Sequence, residues 1–280
     1  MIEDTLYAWD NIDRILTPEQ IKTFLDSGRD VLNFSKEQYV RYLMTRPDSF
    51  NGLGLNLSNS EQILDLGCGL GDDTIELKVL AGENCSVTGV DISNILINEA
   101  RERIKHFQYD INVEVADAHQ LSFDDNRFDL SCSRRVFQHL KEPDKALKEM
   151  IRVTKPGGRI LLIEPDRGSM LLDSKNMELT RTICSHIENV VRNPWMGRQL
   201  YSLFRANGLK NIQVQALSKL DSDLSVVDSN YGVQIALNHL VSTQKISTNE
   251  ATEWFNDLQK KNKAQSFFCA ASIFVAIAYK

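Results

Sequence analysis

No two of the five cysteines, Cys68, Cys85, Cys132, Cys184 and Cys269, stand in a C-x-x-C spacing. Scattered thiols in odd number argue against a disulfide framework or a zinc site and suit a reducing compartment. The histidines (His106, His119, His139, His186, His239) are isolated, and no H-x-x-x-H pair or carboxylate cluster points to a metal. Basic charge is also short: 32 Lys and Arg against 38 Asp and Glu, a net charge of −6. That balance disfavours a broad electrostatic footprint for nucleic acid. The longest apolar run, Phe267 to Tyr279, falls well below the roughly 20 residues that span a bilayer. It reads instead as a strand buried on both faces. Glu3 and Asp4 open the chain with no apolar signal core behind them, so the expected compartment is the cytoplasm. Repeats and low-complexity tracts are missing too. What remains, 42% hydrophobic and 25% charged content, is ordinary for a globular protein, and 280 residues suffice for one large α/β domain or one domain with a sizeable insertion.

The most informative segment is Gln62-Ile63-Leu64-Asp65-Leu66-Gly67-Cys68-Gly69-Leu70-Gly71-Asp72-Asp73-Thr74. An apolar strand runs into alternating glycines and then into a helix start, the way an α/β sheet presents a nucleotide-like cofactor. In the dinucleotide fingerprint G-x-G-x-x-G a pyrophosphate sits on the helix N-terminus. Here Asp72 replaces the third glycine and Asp73 follows. Two carboxylates there would repel a pyrophosphate, whereas a cationic ligand such as S-adenosylmethionine would be tolerated; they also complement the helix dipole on their own account. Asp65 is expected as a third acid facing the same place. Cys68 reads as a small residue filling the tight turn.

Around this segment strands and helices alternate. Strands are expected at 62–66, 86–90, 111–115, 128–132 and 159–163, with helices near 72–80, 93–106 and 144–153. Ahead of them lie two capped helices, one from Thr17-Pro18 and one from a Ser35/Gln38 capping box that Pro47 ends. After Glu164 the rhythm breaks into helical stretches at about 174–192, 197–207, 224–241 and 248–261, the last capped by Ser247 and Glu250, with strands near 212–216 and 267–278. The expected organisation is a single domain. A helical cap (1–55) precedes a cofactor-binding core (56–165), helical substrate-side insertions follow (166–207 and 218–263), and 208–217 and 264–280 form the final strands.

Motif by motif the chain resembles the class I S-adenosylmethionine-dependent methyltransferases, in particular their small-molecule, ubiquinone/menaquinone-type branch. Ile63–Gly71 resembles the first motif, Val90-Asp91-Ile92-Ser93 the second and Ala116-Asp117-Ala118 the third. Phe128-Asp129-Leu130 through Arg135–Leu140 resembles the fourth strand and its turn, and Glu149–Gly158 the run before the fifth strand. The likeness spans about 62–165 in order. It implies a doubly wound, mostly parallel seven-stranded Rossmann-like sheet with a helical cap, the last strand antiparallel between the fifth and sixth. It also implies S-adenosylmethionine as cofactor and a small-molecule methyl acceptor as partner, without nucleic acid or a membrane span, and admits a homodimer.

The cofactor-binding residues expected on this basis are Asp65, Gly67, Cys68, Gly69, Asp91, Ile92, Asp117, Ala118, Ser133 and Arg134. Asp91 ends the second strand, where a carboxylate accepts from ribose hydroxyls, a role shared with NAD-binding proteins. Asp117 would meet the adenine amino group, Ala118 would offer its N–H, and Ile92 would pack on the ring. Ser133, Arg134 and Arg135 sit where the methionine part or a substrate anion should lie. His139, one helical turn on, is the candidate catalytic residue, an imidazole able to take a proton near neutral pH; the competing reading is a histidine bonding a nearby loop. Tyr7, Trp9, Tyr39, Tyr42, Met170, Met177, Trp195 and Trp254 could line an acceptor pocket or simply pack in the core. Glu164 and Asp166, at the end of the fifth strand, are expected to face the same crevice, either to contact a polar substrate group or merely to start a loop. A non-catalytic cofactor-binding module and an NAD-dependent oxidoreductase are the alternatives.

Overall fold

The computed structural model describes residues 30–45, 50–53, 55–59 and 61–280. The helix expected from Thr17, together with Tyr7, Trp9 and Pro47, lies outside them. The first described helix, α1 (Lys36–Thr45), starts at its capping box: Gln38 N–H donates to the Ser35 hydroxyl at 3.3 Å, and Ser35 N–H donates to Gln38 Oε1 at 2.7 Å.

From β1 (Gln62–Leu66) the chain alternates through α2 (Asp72–Ala81), β2 (Ser86–Asp91), α3 (Asn94–His106) and β3 (Asn112–Val115). It continues through β4 (Phe128–Arg134), α4 (Pro143–Val153) and β5 (Thr154–Leu172). Then come α5 (Met177–Glu188), α6 (Met196–Ala206), β6 (Lys210–Asp221), α7 (Leu224–Tyr231), α8 (Val233–Ser242), α9 (Thr248–Lys263) and β7 (Cys269–Tyr279). The seven strands form one sheet in the order β3-β2-β1-β4-β5-β7-β6. All neighbours are parallel except β7, which runs antiparallel between β5 and β6. This is the topology the resemblance implied.

Helix faces explain the layering. α4 buries Ala146, Leu147, Met150 and Val153 at helical spacing, and α6 buries Met196, Leu200 and Phe204 on the same side of the sheet. Phe50, Leu77 and Ala81 cover the opposite face of β1, β4 and β5. A separate apolar core joins α5, α7, α8 and α9 to Met170, Phe267 and Cys269, so these four helices form a cap with its own interior, while α6 stays with the sheet. Among the described residues no helix is long and apolar enough to cross a membrane.

Three expectations change. β5 does not stop at residue 163: antiparallel pairing with β7 carries it to Leu172, through Glu164 and Asp166. The stretch 224–241 is two helices, because Gly232 takes a left-handed φ of 69° and ends α7. β6 is longer than 212–216, since it tracks β7 along most of its length.

Candidate functional site

The strand order reverses between β1 and β4, with β2 and β3 on one side and β5 on the other, and at such a switch point the carboxyl ends of parallel strands part to leave a crevice. A cavity of about 680 Å³ opens there. Its first wall is the turn after β1. Gly67 N–H and Cys68 N–H both donate to Val90 O, at 2.7 and 2.9 Å, which clamps the turn to the end of β2. Gly67 has φ 78°, and a Cβ on it would lie 2.2 Å from Val136 Cγ2, so no larger residue fits. Over Gly69 a Cβ would meet nothing within 4 Å, which leaves an open cradle on the cavity side.

Asp91 is fixed by backbone donors. Its Oδ2 accepts from Gly69 N–H at 3.0 Å and its Oδ1 from Ser93 N–H at 2.9 Å, while Ser93 caps α3 by accepting from Leu96 N–H. Ile92 beside it is 50% exposed, a large apolar side chain left open on the cavity wall. Asp117 accepts from His119 N–H at 2.8 Å and faces His119 Nδ1 at 2.7 Å. Burial pushes the Asp117 carboxyl up, but these His119 contacts outweigh it and hold it below the usual range. Ala118 lines the same wall.

Gly67, Gly69, Asp91, Ile92, Asp117, Ala118, Arg134 and His139 therefore meet at one cavity, and Asp65, Cys68 and Ser133 do not line it. Asp65 is 1% exposed and accepts the Thr74 hydroxyl at 2.6 Å beneath the turn. Burial first, and then Asp73, raise its carboxyl. Cys68 is buried and Ser133 donates to Leu66 O at 2.8 Å. The acids at the start of α2 are also engaged inward. Asp72 accepts from Tyr39 Oη and from Arg103 Nη1 at 3.2 Å; Asp73 accepts Arg134 Nε at 2.7 Å, and Arg134 Nη2 reaches Glu76 at 3.3 Å. The acid lining expected from the sequence thus reduces to Asp91 and Asp117, because Thr74 holds Asp65 beneath the turn and arginines 31 and 61 residues away take Asp72 and Asp73.

The second wall is the turn 135–140 after β4. It is not a helical turn; it is held by His139 N–H donating to Val136 O at 2.8 Å and by Glu164. The Glu164 carboxylate accepts from Val136, Phe137 and Gln138 N–H at 2.8, 2.7 and 3.2 Å. Burial pushes this carboxyl up to about 8 against the pull of those three bonds. Asp166 pairs with Arg198 and does not line the cavity. His139 is depressed to about 3 by burial, then by Arg167 and Arg135, and stands as neutral imidazole at neutral pH.

Residues of the cap and the far strands complete the cavity: Arg167 and Pro165 from β5, Lys219 from β6, and Ser229, Asn230 and Tyr231 from α7. Sequence reading gave none of these six. Their only signal was position at or after the end of the expected fifth strand; β7 pairing positions Pro165 (opposite Ile273) and Lys219 (opposite Ala271), and α7 supplies the last three. Of the aromatic and Met candidates, Trp254 and Met170 are cap core, Tyr39 stacks on Phe107 at 4.1 Å, and Met177, Trp195 and Tyr42 are exposed away from the cavity.

A family model described as a methyltransferase domain matches residues 57–208. An uncharacterized 37.1 kDa protein in transposon TN4556 of Streptomyces fradiae is 32% identical over 225 residues, 80% of this chain and 64% of that protein. The ubiquinone/menaquinone biosynthesis C-methyltransferase of Bdellovibrio bacteriovorus is 39% identical over 104 residues, 37% of this chain and 44% of that enzyme. The chain thus spans less than two thirds of either relative. Among solved structures, a putative methyltransferase from Bacillus halodurans superposes with a TM-score of 0.57 at 17% identity, over 80% of this chain and 94% of that one, a likeness of fold.

Proposed function

The chain belongs to the class I methyltransferases, and from that premise we propose that it transfers a methyl group from S-adenosylmethionine to a small organic molecule. The observation that carries the reading is Asp91: a carboxylate at the end of β2, pinned by Gly69 and Ser93 N–H, on the wall of the cavity that the glycine turn opens. The cavity fits a nucleoside of this kind. Asp91 would hold the ribose hydroxyls and Ile92 would cover an adenine face. Asp117 and the Ala118 N–H would meet the base edge, and the cradle over Gly69 leaves room for the sulfonium half.

When bound, S-adenosylmethionine supplies an electrophilic methyl on a cationic sulfur. The protein's part is to hold the acceptor's nucleophilic atom about 3 Å away, in line and shielded from water, which contributes several kcal/mol to lowering the barrier. Gly67, Val136 and the Glu164-tied turn form the rigid floor for that alignment. His139 stands on the wall in its neutral, proton-accepting form, and its depressed proton affinity suits an acceptor whose own proton is acidic.

The same geometry argues against an NAD-dependent oxidoreductase. The N-terminal turn of α2, where a pyrophosphate would sit, already carries Asp72 and Asp73. Calorimetric titration with S-adenosylhomocysteine and with NADH tests the reading: binding of the first and not of the second is expected, and the reverse would overturn it. Incubation with labelled methyl donor and a metabolite extract then identifies the acceptor through the labelled product.

A further inference from the structure

The part of the cavity away from Asp91 and Asp117 is cationic. Arg135, Lys141, Arg167, Arg192 and Lys219 line the cavity, and among the described residues its only carboxylates are the two on the β2 and β3 side. Lys219 has a partner in Asp221 at 3.6 Å. Arg167 differs in kind from the rest. It is 8% exposed, and Nη1 is the one buried side-chain nitrogen or oxygen among the described residues with no hydrogen-bond partner.

The side chain is nevertheless held in place. Nε donates to Gln138 Oε1 at 3.0 Å, and Gln138 Nε2 donates in turn to Arg135 O at 3.1 Å. Gln138 N–H is one of the three donors on Glu164, so the acidic side chain that acts electrostatically on Arg167 is already committed to backbone. The guanidinium lies 5.6 Å from the centre of the Tyr231 ring. Arg135 occupies a left-handed conformation, φ 60°, which places a non-glycine residue in a costly backbone region on the cavity wall. Burying an arginine without an acid partner is expensive unless something else meets the charge. A fixed guanidinium with an unserved donor, in a wall of like charge, is built for a carboxylate or phosphate.

We propose that this half of the cavity is an oxyanion subsite: the methyl acceptor carries a carboxylate or phosphate that docks on the Arg167 guanidinium, with Arg135 at the rim. The word acceptor rests on the methyl-transfer reading; the subsite rests on Arg167 itself. The competing source of the same chemistry is the carboxylate of the methyl donor, and the test separates the two.

Inorganic phosphate and benzoate are titrated into the protein with and without S-adenosylhomocysteine, followed by calorimetry and by melting temperature, with chloride at matched ionic strength as control. At least one of these anions is expected to bind the S-adenosylhomocysteine-loaded protein and raise its melting temperature above the chloride control. Arg167→Met should weaken that binding by about tenfold or more while S-adenosylhomocysteine affinity stays within about twofold. Arg167→Lys should restore part of it, and Arg135→Gln, at an exposed position, should weaken it by about threefold. Absence of anion binding by the wild type overturns the proposal, as does unchanged binding in the Arg167 and Arg135 variants. A loss of about tenfold in S-adenosylhomocysteine affinity in Arg167→Met also overturns it, since the arginine would then serve the donor. Should Arg167→Met not fold, the wild-type melting shift and Arg135→Gln decide. Failure of the wild type to bind S-adenosylhomocysteine would sink the methyl-transfer reading instead, and the titrations made without it would still judge the subsite.

Discussion

Asp91 receives two backbone N–H bonds, from Gly69 and Ser93, so its position is set by the turn and the start of α3. Asp91→Asn keeps the shape and removes the charge. Losing charge-assisted bonds of roughly 1.5–3 kcal/mol should lower S-adenosylhomocysteine affinity by about ten- to a hundredfold in calorimetry. His139 gives a pH prediction of definite sign. Its folded value, about 3, lies below the ordinary 6.5, so its contribution to stability is complete above the ordinary value and drains away as the pH falls toward the folded one. Urea unfolding across that acid range should show the slope, and His139→Gln should remove it. The two residues also differ in how legible they were. Asp91 was readable because a strand end and its distance from the glycines are local facts. Arg167 was not, because its burial comes from β7 pairing along β5 and from α7 closing over it, and neither leaves a trace near residue 167. The pairings of Asp72 with Arg103 and of Asp73 with Arg134 were hidden for the same reason.

The turn between β4 and α4 owes its shape to a carboxylate on another strand. Glu164 gathers the N–H groups of Val136, Phe137 and Gln138, so one side chain of β5 fixes the segment that carries Arg135 and His139. Glu164→Gln replaces one accepting oxygen with an NH₂ that faces donors. With the amide oxygen kept under Val136 and Phe137, the Gln138 N–H is left unserved, so a stability loss of about 1–3 kcal/mol is expected from the urea midpoint. Elements whose signal was periodic and capped, such as α3 behind Ser93 and α9 behind the Ser247/Glu250 box, were readable to within a few residues. Elements shaped by partners were not. β5 and β6 outrun their apolar segments because β7 offers them backbone groups to bond, and the break at Gly232 turns on one left-handed residue inside an otherwise helical pattern.

Seen as a whole, the protein carries a net charge of −6, yet one half of its main cavity is lined by arginine and lysine. An anion entering that half crosses a field that salt shortens, with a Debye length of about 10 Å at 0.1 M and about 3 Å at 1 M. Phosphate or benzoate binding should therefore weaken several-fold between roughly 0.05 and 0.5 M sodium chloride, while S-adenosylhomocysteine, a zwitterion, should hold its affinity within about twofold. Titrations at the two salt concentrations check this. The sheet's strand order has a further consequence, for the timing of birth on the ribosome. β7 sits between β5 and β6, so both its neighbours emerge before it does. Until residues 269–279 have left the exit tunnel, the nascent chain holds two unpaired strand edges apart, with nothing of its own to seat between them. Before β7 is made, folding thus passes through an adhesive interval, and β7 ends that interval by sliding in as a wedge.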